Sequence, residues 1–421
     1  MAMTMVRRGY RNIMTKDAED VVILSSLRTP ITRAVKGQLS SSYPEQLLHT
    51  VLKATLAAVP NLDPALIDDV CVGVVLSELG GSKAGRMAMN HAGIPATTSF
   101  YTTNRACSSG LQAITNVAHS IAMGQINIGI GGGMESMTRN YASKAIPTDL
   151  WPELKNGERD TRDCIMPMGL TSENVAERYG VSRKEQDEFA VESHRKAAHA
   201  QAKGWFRKEI VPVRTRWQEI GKGGVKIGEE KDVLVLQDDG IRKDASLEGM
   251  QKLKPAFKED GTSTAGNSSQ ISDGAAATLM MRRSTAIELG LKGSIIGKWV
   301  ASVVAGCRPD EMGIGPALAI PKLLEYTGMD KNMVGIWEIN EAFASQAIYC
   351  VKALGLEVPY EVGEVNPKGG AIALGHPLGA TGARMVASLL AELERTQRNV
   401  GVISTGMGMA GMFVREYPSI V

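Results

Sequence analysis

The sequence carries almost no net charge, few cysteines and no long apolar run, and each shortage rules something out. Its 47 basic and 45 acidic residues leave +2, so no polyelectrolyte partner such as a nucleic acid is implied, although a local basic site for phosphate stays open. The five cysteines (Cys71, Cys107, Cys164, Cys307 and Cys350) are scattered without paired spacing. That is no disulfide framework and fits a reducing compartment. No Cys/His cluster has zinc-ligand spacing, so no metal is expected. No apolar run reaches the roughly 18 residues that cross a bilayer, so no membrane span is expected. Aromatic residues are 5%, whereas Gly (45) and Met (21) are plentiful; this much glycine points to tight turns and to backbone that approaches a ligand closely. The 421 residues exceed what one core usually holds, so two or three domains are expected.

Residues 1–17 read as a tail, because Arg7, Arg8, Arg11 and Lys16 precede the first acid, Asp17. Such a segment fits weak organelle targeting or a disordered basic end. Ser419-Ile420-Val421 is not the peroxisomal Ser-Lys-Leu signal, so neither end shows a clear address. From residue 21 onward, short apolar runs of buried-strand type (21–24, 70–75, 126–130) alternate with amphipathic helical patterns (45–58, 107–123). The alternation argues for an α/β fold with a largely parallel sheet. Between about 138 and 265 charge dominates, with a polar helix over 185–203, as in an inserted subdomain. The buried-strand pattern returns at 294 and continues through 335–339, a helix over 381–393 and a strand over 400–403. Each half thus runs reactive loop, helix, strand, Gly/Met loop, which reads as a weak internal duplication. The expected division is a tail (1–17), a first half (18–137 with 266–292), an insert (138–265) and a second half (293–421).

Four segments could carry chemistry. In Asn104-Arg105-Ala106-Cys107-Ser108-Ser109-Gly110 the cysteine opens a helix, where unpaired N–H groups and the helix dipole favour a thiolate and small neighbours leave room for substrate. An inert buried cysteine fits the same pattern. In Gly369-Gly370-Ala371-Ile372-Ala373-Leu374-Gly375-His376-Pro377-Leu378-Gly379 one histidine is bracketed by glycines before a helix, which suits a base exposed in a cleft or a structural turn. In Glu338-Ile339-Asn340-Glu341-Ala342-Phe343-Ala344, Asn340 ends a buried strand, where it could hold a water, donate to an oxyanion, or simply cap the next helix. The small hydroxyl residues of Thr264-Ala265-Gly266-Asn267-Ser268-Ser269-Gln270 could line a groove for a long ligand arm or form a solvated turn.

Together these segments resemble the thiolases, specifically 3-ketoacyl-CoA thiolases of the peroxisomal type, over about residues 18–418. Further matching stretches are Leu27-Arg28-Thr29-Pro30, Gly132-Gly133-Met134-Glu135-Ser136-Met137, the run from Met168 through Ala176, and Met312-Gly313-Ile314-Gly315-Pro316. The resemblance implies two similar βαβαβαββ halves in a five-layered α/β/α/β/α core, a loop domain covering CoA, and a homodimer or dimer of dimers. By position, it implies that Cys107 attacks the 3-keto carbonyl, that His376 activates it, and that Asn340 holds a water which joins His376 at the substrate oxygen. Ser269, Met168 and Gly408 become substrate- and CoA-binding positions. The reaction would be ping-pong covalent catalysis on 3-ketoacyl-CoA and CoA, with CoA as substrate and no cofactor. Peroxisomal location follows by the same resemblance, with mitochondrion and cytosol left open.

One departure stands out. Thiolases carry a second cysteine near the C-terminus, in a Cys-Ile-Gly-Thr-Gly-Met-Gly-like loop, as acid/base. Here the segment reads Val400-Gly401-Val402-Ile403-Ser404-Thr405-Gly406-Met407-Gly408, and no cysteine follows Cys350. An ungapped placement puts Val402 at the cysteine's position. A gapped one, which fits the strand better, deletes four residues after Ser404. Either way the acid/base thiol is gone, and a serine such as Ser404 is a far weaker acid. Impaired turnover or a non-catalytic acyl-CoA-binding or dimer-partner role are both compatible with this loss.

Overall fold

The computed structural model describes residues 8–141, 145–221 and 225–417. The readings made for residues 1–7 and 419–421 lie outside these. Residues 8–17 are docked rather than loose: Gly9 N–H donates to Thr327 O at 2.7 Å, and Ile13, in the short helix Tyr10–Met14, is buried against Ala319 and Ile320.

Among the described residues twelve strands form: β1 (Val21–Arg28), β2 (Thr32–Arg33), β3 (Asp69–Gly73), β4 (Ser99–Thr103), β5 (Ile128–Ser136), β6 (Val213–Ile220), β7 (Lys226–Val235), β8 (Ser272–Arg282), β9 (Gly297–Val304), β10 (Ile336–Ile339), β11 (Val400–Thr405) and β12 (Met409–Arg415). The first half orders its strands β4-β3-β5-β8-β1 and the second β10-β11-β12-β9. The halves join where β1 pairs with β9 at Val22↔Lys298 and Ile23↔Gly297. Beyond β10, Val365 makes a parallel bridge to Trp337, in the position that β4 holds beside β3. Strand for strand, then, the second half repeats the first, and the internal duplication is real at the level of topology.

The sheet is mixed, not largely parallel. Only β3, β4 and β5, and β10 with β11, run parallel, while β8, β1, β9 and β12 pair antiparallel. Uninterrupted apolar runs report burial on both faces. Here antiparallel strands are covered on both faces too, so the pattern could not reveal strand direction.

Alternation along the strands separates the layers. Val22 and Leu24 of β1 and Leu279 and Met281 of β8 pack outward with Leu47, Leu48, Val51 and Leu52 of the helix Pro44–Ala57. Val21, Ile23, Ala276 and Met280 face inward, with Ile403 and Phe413 from the second half. Between the two sheets lie the helix Ser109–Ala122, through Leu111, Ile114 and Val117, and the helix Leu378–Thr396, through Val386, Leu389 and Leu393. Ala410, Met412 and Val414 of β12 face the far side, against Ala319, Ile320 and Leu323 of the helix Gly315–Thr327. The result is α-β-α-β-α. The two central helices meet backbone to backbone: a Cβ on Gly110 would lie 2.7 Å from Ala383 N. Outside this core are the polar helix Arg183–Ala202 and the β6–β7 hairpin.

Candidate active site

The cysteine loop is a strained turn. Ala106, not a glycine, sits at φ 42°, in the left-handed region that costs a non-glycine residue on the order of 1–3 kcal/mol. Neighbouring side chains hold it there. Asn104 Oδ1 accepts from Ala106 N–H at 2.9 Å, and Ser109 Oγ accepts from Arg105 N–H at 2.8 Å while donating to Ala106 O at 2.6 Å. The following helix begins at Ser109, not at Cys107, which places the half-buried cysteine just ahead of the first turn.

The histidine loop is built differently. His376 N–H donates to Gln270 O at 3.0 Å, and Nδ1 pairs with Thr381 Oγ1 at 2.7 Å, one turn into its own helix. Asn340 ends β10, whose last residue is clamped by Asn366: Oδ1 accepts from Ile339 N–H and Nδ2 donates to Ile339 O, both at 2.8 Å.

A circuit of hydrogen bonds brings these loops to one rim. Ser108, beside the cysteine, meets Thr405 through their hydroxyls. Ser404 O accepts from Asn340 N–H at 2.9 Å. Ala342 O accepts from Ser269 N–H at 2.9 Å, and the next residue, Gln270, accepts from His376. Gly379 N–H donates to Glu135 Oε2 at 3.0 Å. Glu135 also accepts from Val75 and Leu76 N–H, at 3.1 and 3.2 Å. Asn104 Nδ2 closes the circuit on Val75 O at 3.4 Å.

Several buried polar atoms on these loops have no partner among the described residues, among them His376 Nε2, Asn340 Nδ2, Asn340 Oδ1, Gln270 Oε1 and Ser268 Oγ. Buried polar groups are normally satisfied, so orphans of this kind on facing loops are groups kept for a ligand or water. In the tautomer that donates Nδ1–H to Thr381, His376 presents a lone pair at Nε2, the form that accepts a proton.

The resting charges differ from the expected thiolate. Burial pushes the Cys107 thiol up to about 12; its own N–H works against that and Glu135 adds to it. Burial, then the Arg384 guanidinium, pulls His376 down to about 3. The free site therefore holds a thiol and a neutral imidazole, because desolvation outweighs what the helix end offers a thiolate.

Of the other expected positions, Ser269 stands half-buried on the rim. Met168 opens the helix Met168–Tyr179, where Gly169 abuts Phe257 and Phe257 meets Phe343 edge-on at 5.9 Å, beside Ser268. Gly408, at φ 68°, belongs to the three-residue turn joining β11 to β12. Its N–H donates to Thr405 O and its carbonyl accepts from Ala305 N–H, so its backbone is already engaged. Ser404 Oγ donates to Met409 O at 2.8 Å and is buried, which removes it as a proton shuttle. The strand runs unbroken through Ser404 and Thr405 into that tight turn, which fits the four-residue deletion. Two residues went unnoticed as site members. Glu135 lay inside a quoted motif with no chemistry attached, and Thr405 could not be paired with Ser108 from spacing.

Comparison with known proteins agrees with this architecture. The thiolase N-terminal domain family matches residues 21–284 and the thiolase C-terminal domain family residues 294–415. The rat peroxisomal 3-ketoacyl-CoA thiolase B is 50% identical over 406 residues, covering 95% of this chain and 92% of the relative. The human peroxisomal 3-ketoacyl-CoA thiolase is 50% identical with the same coverage. Among solved structures, the dimeric peroxisomal thiolase of Saccharomyces cerevisiae superposes with a TM-score of 0.85 at 40% identity, covering 97% of this chain and 100% of that one.

Proposed function

The chain belongs to the thiolase family, and from that membership we propose that it cleaves 3-ketoacyl-CoA with CoA, through an acyl-thioester on Cys107, with slowed turnover. The hydrogen-bond circuit supports this reading, since it links the loops that carry the Cys107 thiol, the His376 imidazole and the unpartnered amide of Asn340. Cys107 Sγ attacks the 3-keto carbonyl as its proton passes to His376 Nε2. Asn340, through its free amide, holds the water that joins His376 at the substrate oxygen. The bond between C2 and C3 then breaks, acetyl-CoA leaves once its enolate takes the proton held by His376, and a second CoA, giving its thiol proton to His376, takes the acyl group from Cys107, which regains that proton. Ser269 and Met168 flank the arm of CoA, and the insert over 138–265 covers it. The relatives' names place this activity in the peroxisome, and the yeast neighbour's dimer supports a homodimer. CoA enters as substrate.

Turnover is slowed because the acid/base cysteine of the thiolases has no counterpart after Cys350, which leaves His376 to serve both proton transfers. The hydroxyls of Ser404 and Thr405 are committed to Met409 and Ser108. Loss of one general acid/base slows a reaction about 10²–10⁴-fold. The test incubates the chain with acetoacetyl-CoA, with and without CoA, and follows both acetyl-CoA release and the mass of the Cys107 peptide. Acylation of Cys107 with slow release, absent from Cys107→Ala, is expected. CoA binding with no acylation would replace this reading with a non-catalytic acyl-CoA-binding partner.

A further inference from the structure

We propose that Glu135 is a positioning residue of this site: from the first half it holds the first turn of the histidine helix against the Val75–Leu76 segment, which the cysteine loop meets through Asn104, and so sets where His376 stands relative to Cys107. The inference rests on Cys107 as nucleophile and His376 as its base. Glu135 is fully buried on β5 and spends its carboxylate on three backbone N–H groups: Gly379 and Val75 through Oε2, Leu76 through Oε1. Gly379 lies in the first turn of the helix Leu378–Thr396, whose N-cap, Pro377, supplies no side-chain cap. A carboxylate from another segment does that work, at the helix end where negative charge is favoured. The approach is tight, because a Cβ on Gly379 would lie 2.8 Å from Gly73 O and 3.0 Å from Glu135 Oε2. His376 is three residues away, so the orientation of the imidazole depends on this clasp.

The charged and titratable groups around Glu135 can be named. Cys107 feels it as a negative charge, and Asp273, from β8, opposes its ionisation. From the histidine helix, Arg384 acts on His376. Burial, against the three N–H groups, places Glu135 at about 7, so it is a carboxylate at pH 9.

The test compares Glu135→Gln and Glu135→Asp with the unaltered full chain. Three quantities are read: melting temperature, the rate at which iodoacetamide alkylates Cys107 at pH 9, and the rate and half-saturation of Cys107 acylation by acetoacetyl-CoA. Glu135→Gln is expected to alkylate faster, because Cys107 then loses a neighbouring negative charge. It is expected to acylate at least about tenfold more slowly at saturation, with half-saturation unchanged, as a displaced His376 requires. Glu135→Asp keeps the charge and the alkylation rate but not the acylation rate. A folded Glu135→Gln with both rates at the unaltered level overturns the proposal. Should that variant not fold, Glu135→Asp decides, slower acylation supporting and unchanged acylation overturning it. If the unaltered chain forms no acyl-cysteine, the thiolase reading fails instead, and the alkylation rates still decide the charge effect.

Discussion

The sharpest consequence of the resting site concerns how fast Cys107 reacts with a reagent that needs no substrate. A thiol near 12 is about 10⁻⁴ ionised at pH 8, whereas an ordinary free cysteine of pKa about 8.5 is roughly a quarter ionised. The thiolate is the nucleophile, so alkylation of Cys107 is expected to run about 10³-fold slower than that of a free thiol at the same pH. Its rate should also rise about tenfold per pH unit from 7 to 10 without a plateau. Cys164, which is exposed, provides an internal reference in the same digest. The assay is iodoacetamide labelling at a series of pH values, quenched and read by peptide mass mapping. Cys107 labelling faster than Cys164 at pH 7.5, or a plateau below pH 9, would refute the reasoning. Either result would mean that a thiolate–imidazolium pair exists before substrate binds. If the slow rate holds, proton transfer to His376 must accompany carbon–sulfur bond formation.

Three further outcomes follow from named contacts. Arg28 on β1 is fully buried, with Nε on Glu209 at 2.8 Å and Nη1 and Nη2 on Asp238 at 2.7 and 2.9 Å; Arg28→Met takes the ion-pair partner from buried Asp238 and leaves Glu209 with Lys368 alone, and should destabilise by about 3–5 kcal/mol, and an unchanged urea midpoint would contradict this. Burial raises Glu338 from 4.5 to about 8, so between those values the folded chain binds more protons than the unfolded one and stability falls as pH rises. Glu338→Gln removes that loss, and its melting temperature relative to the unaltered chain should be higher at pH 9 than at pH 5; a pH-independent difference would rule the account out. Gly110→Ala places a Cβ 2.7 Å from Ala383 N and Gly379 O, so the central helices must separate, at about 1–3 kcal/mol, with slower Cys107 acylation; full activity would show that the helices yield freely.

Much of the fold was legible from period and punctuation. Buried apolar runs marked β1, β3, β5, β10 and β11, although β5 runs on to Ser136, six residues past the reading, and helical spacing marked the helices that follow Cys107 and His376. Strand direction was not legible, because burial on both faces looks alike in parallel and antiparallel strands. Among the site residues, Cys107, His376 and Asn340 announced themselves by reactive chemistry set among glycines or at a strand end. Glu135 did not, since a carboxylate that binds only backbone N–H groups leaves no signature in residue spacing.

By itself, the sequence determined which groups are available: one thiol at the start of a helical pattern, one imidazole between glycines, and no cysteine after Cys350. Only the tertiary structure decided their state. It linked loops hundreds of residues apart through backbone hydrogen bonds, and it buried Cys107 in part and His376 almost wholly, which favours the uncharged form of each. It also committed the hydroxyls of Ser404 and Thr405 to neighbours. Local sequence sets which atoms can ionise or donate, but desolvation and hydrogen-bond partners come from segments distant along the chain, and those fix the protonation state and the direction in which each group points.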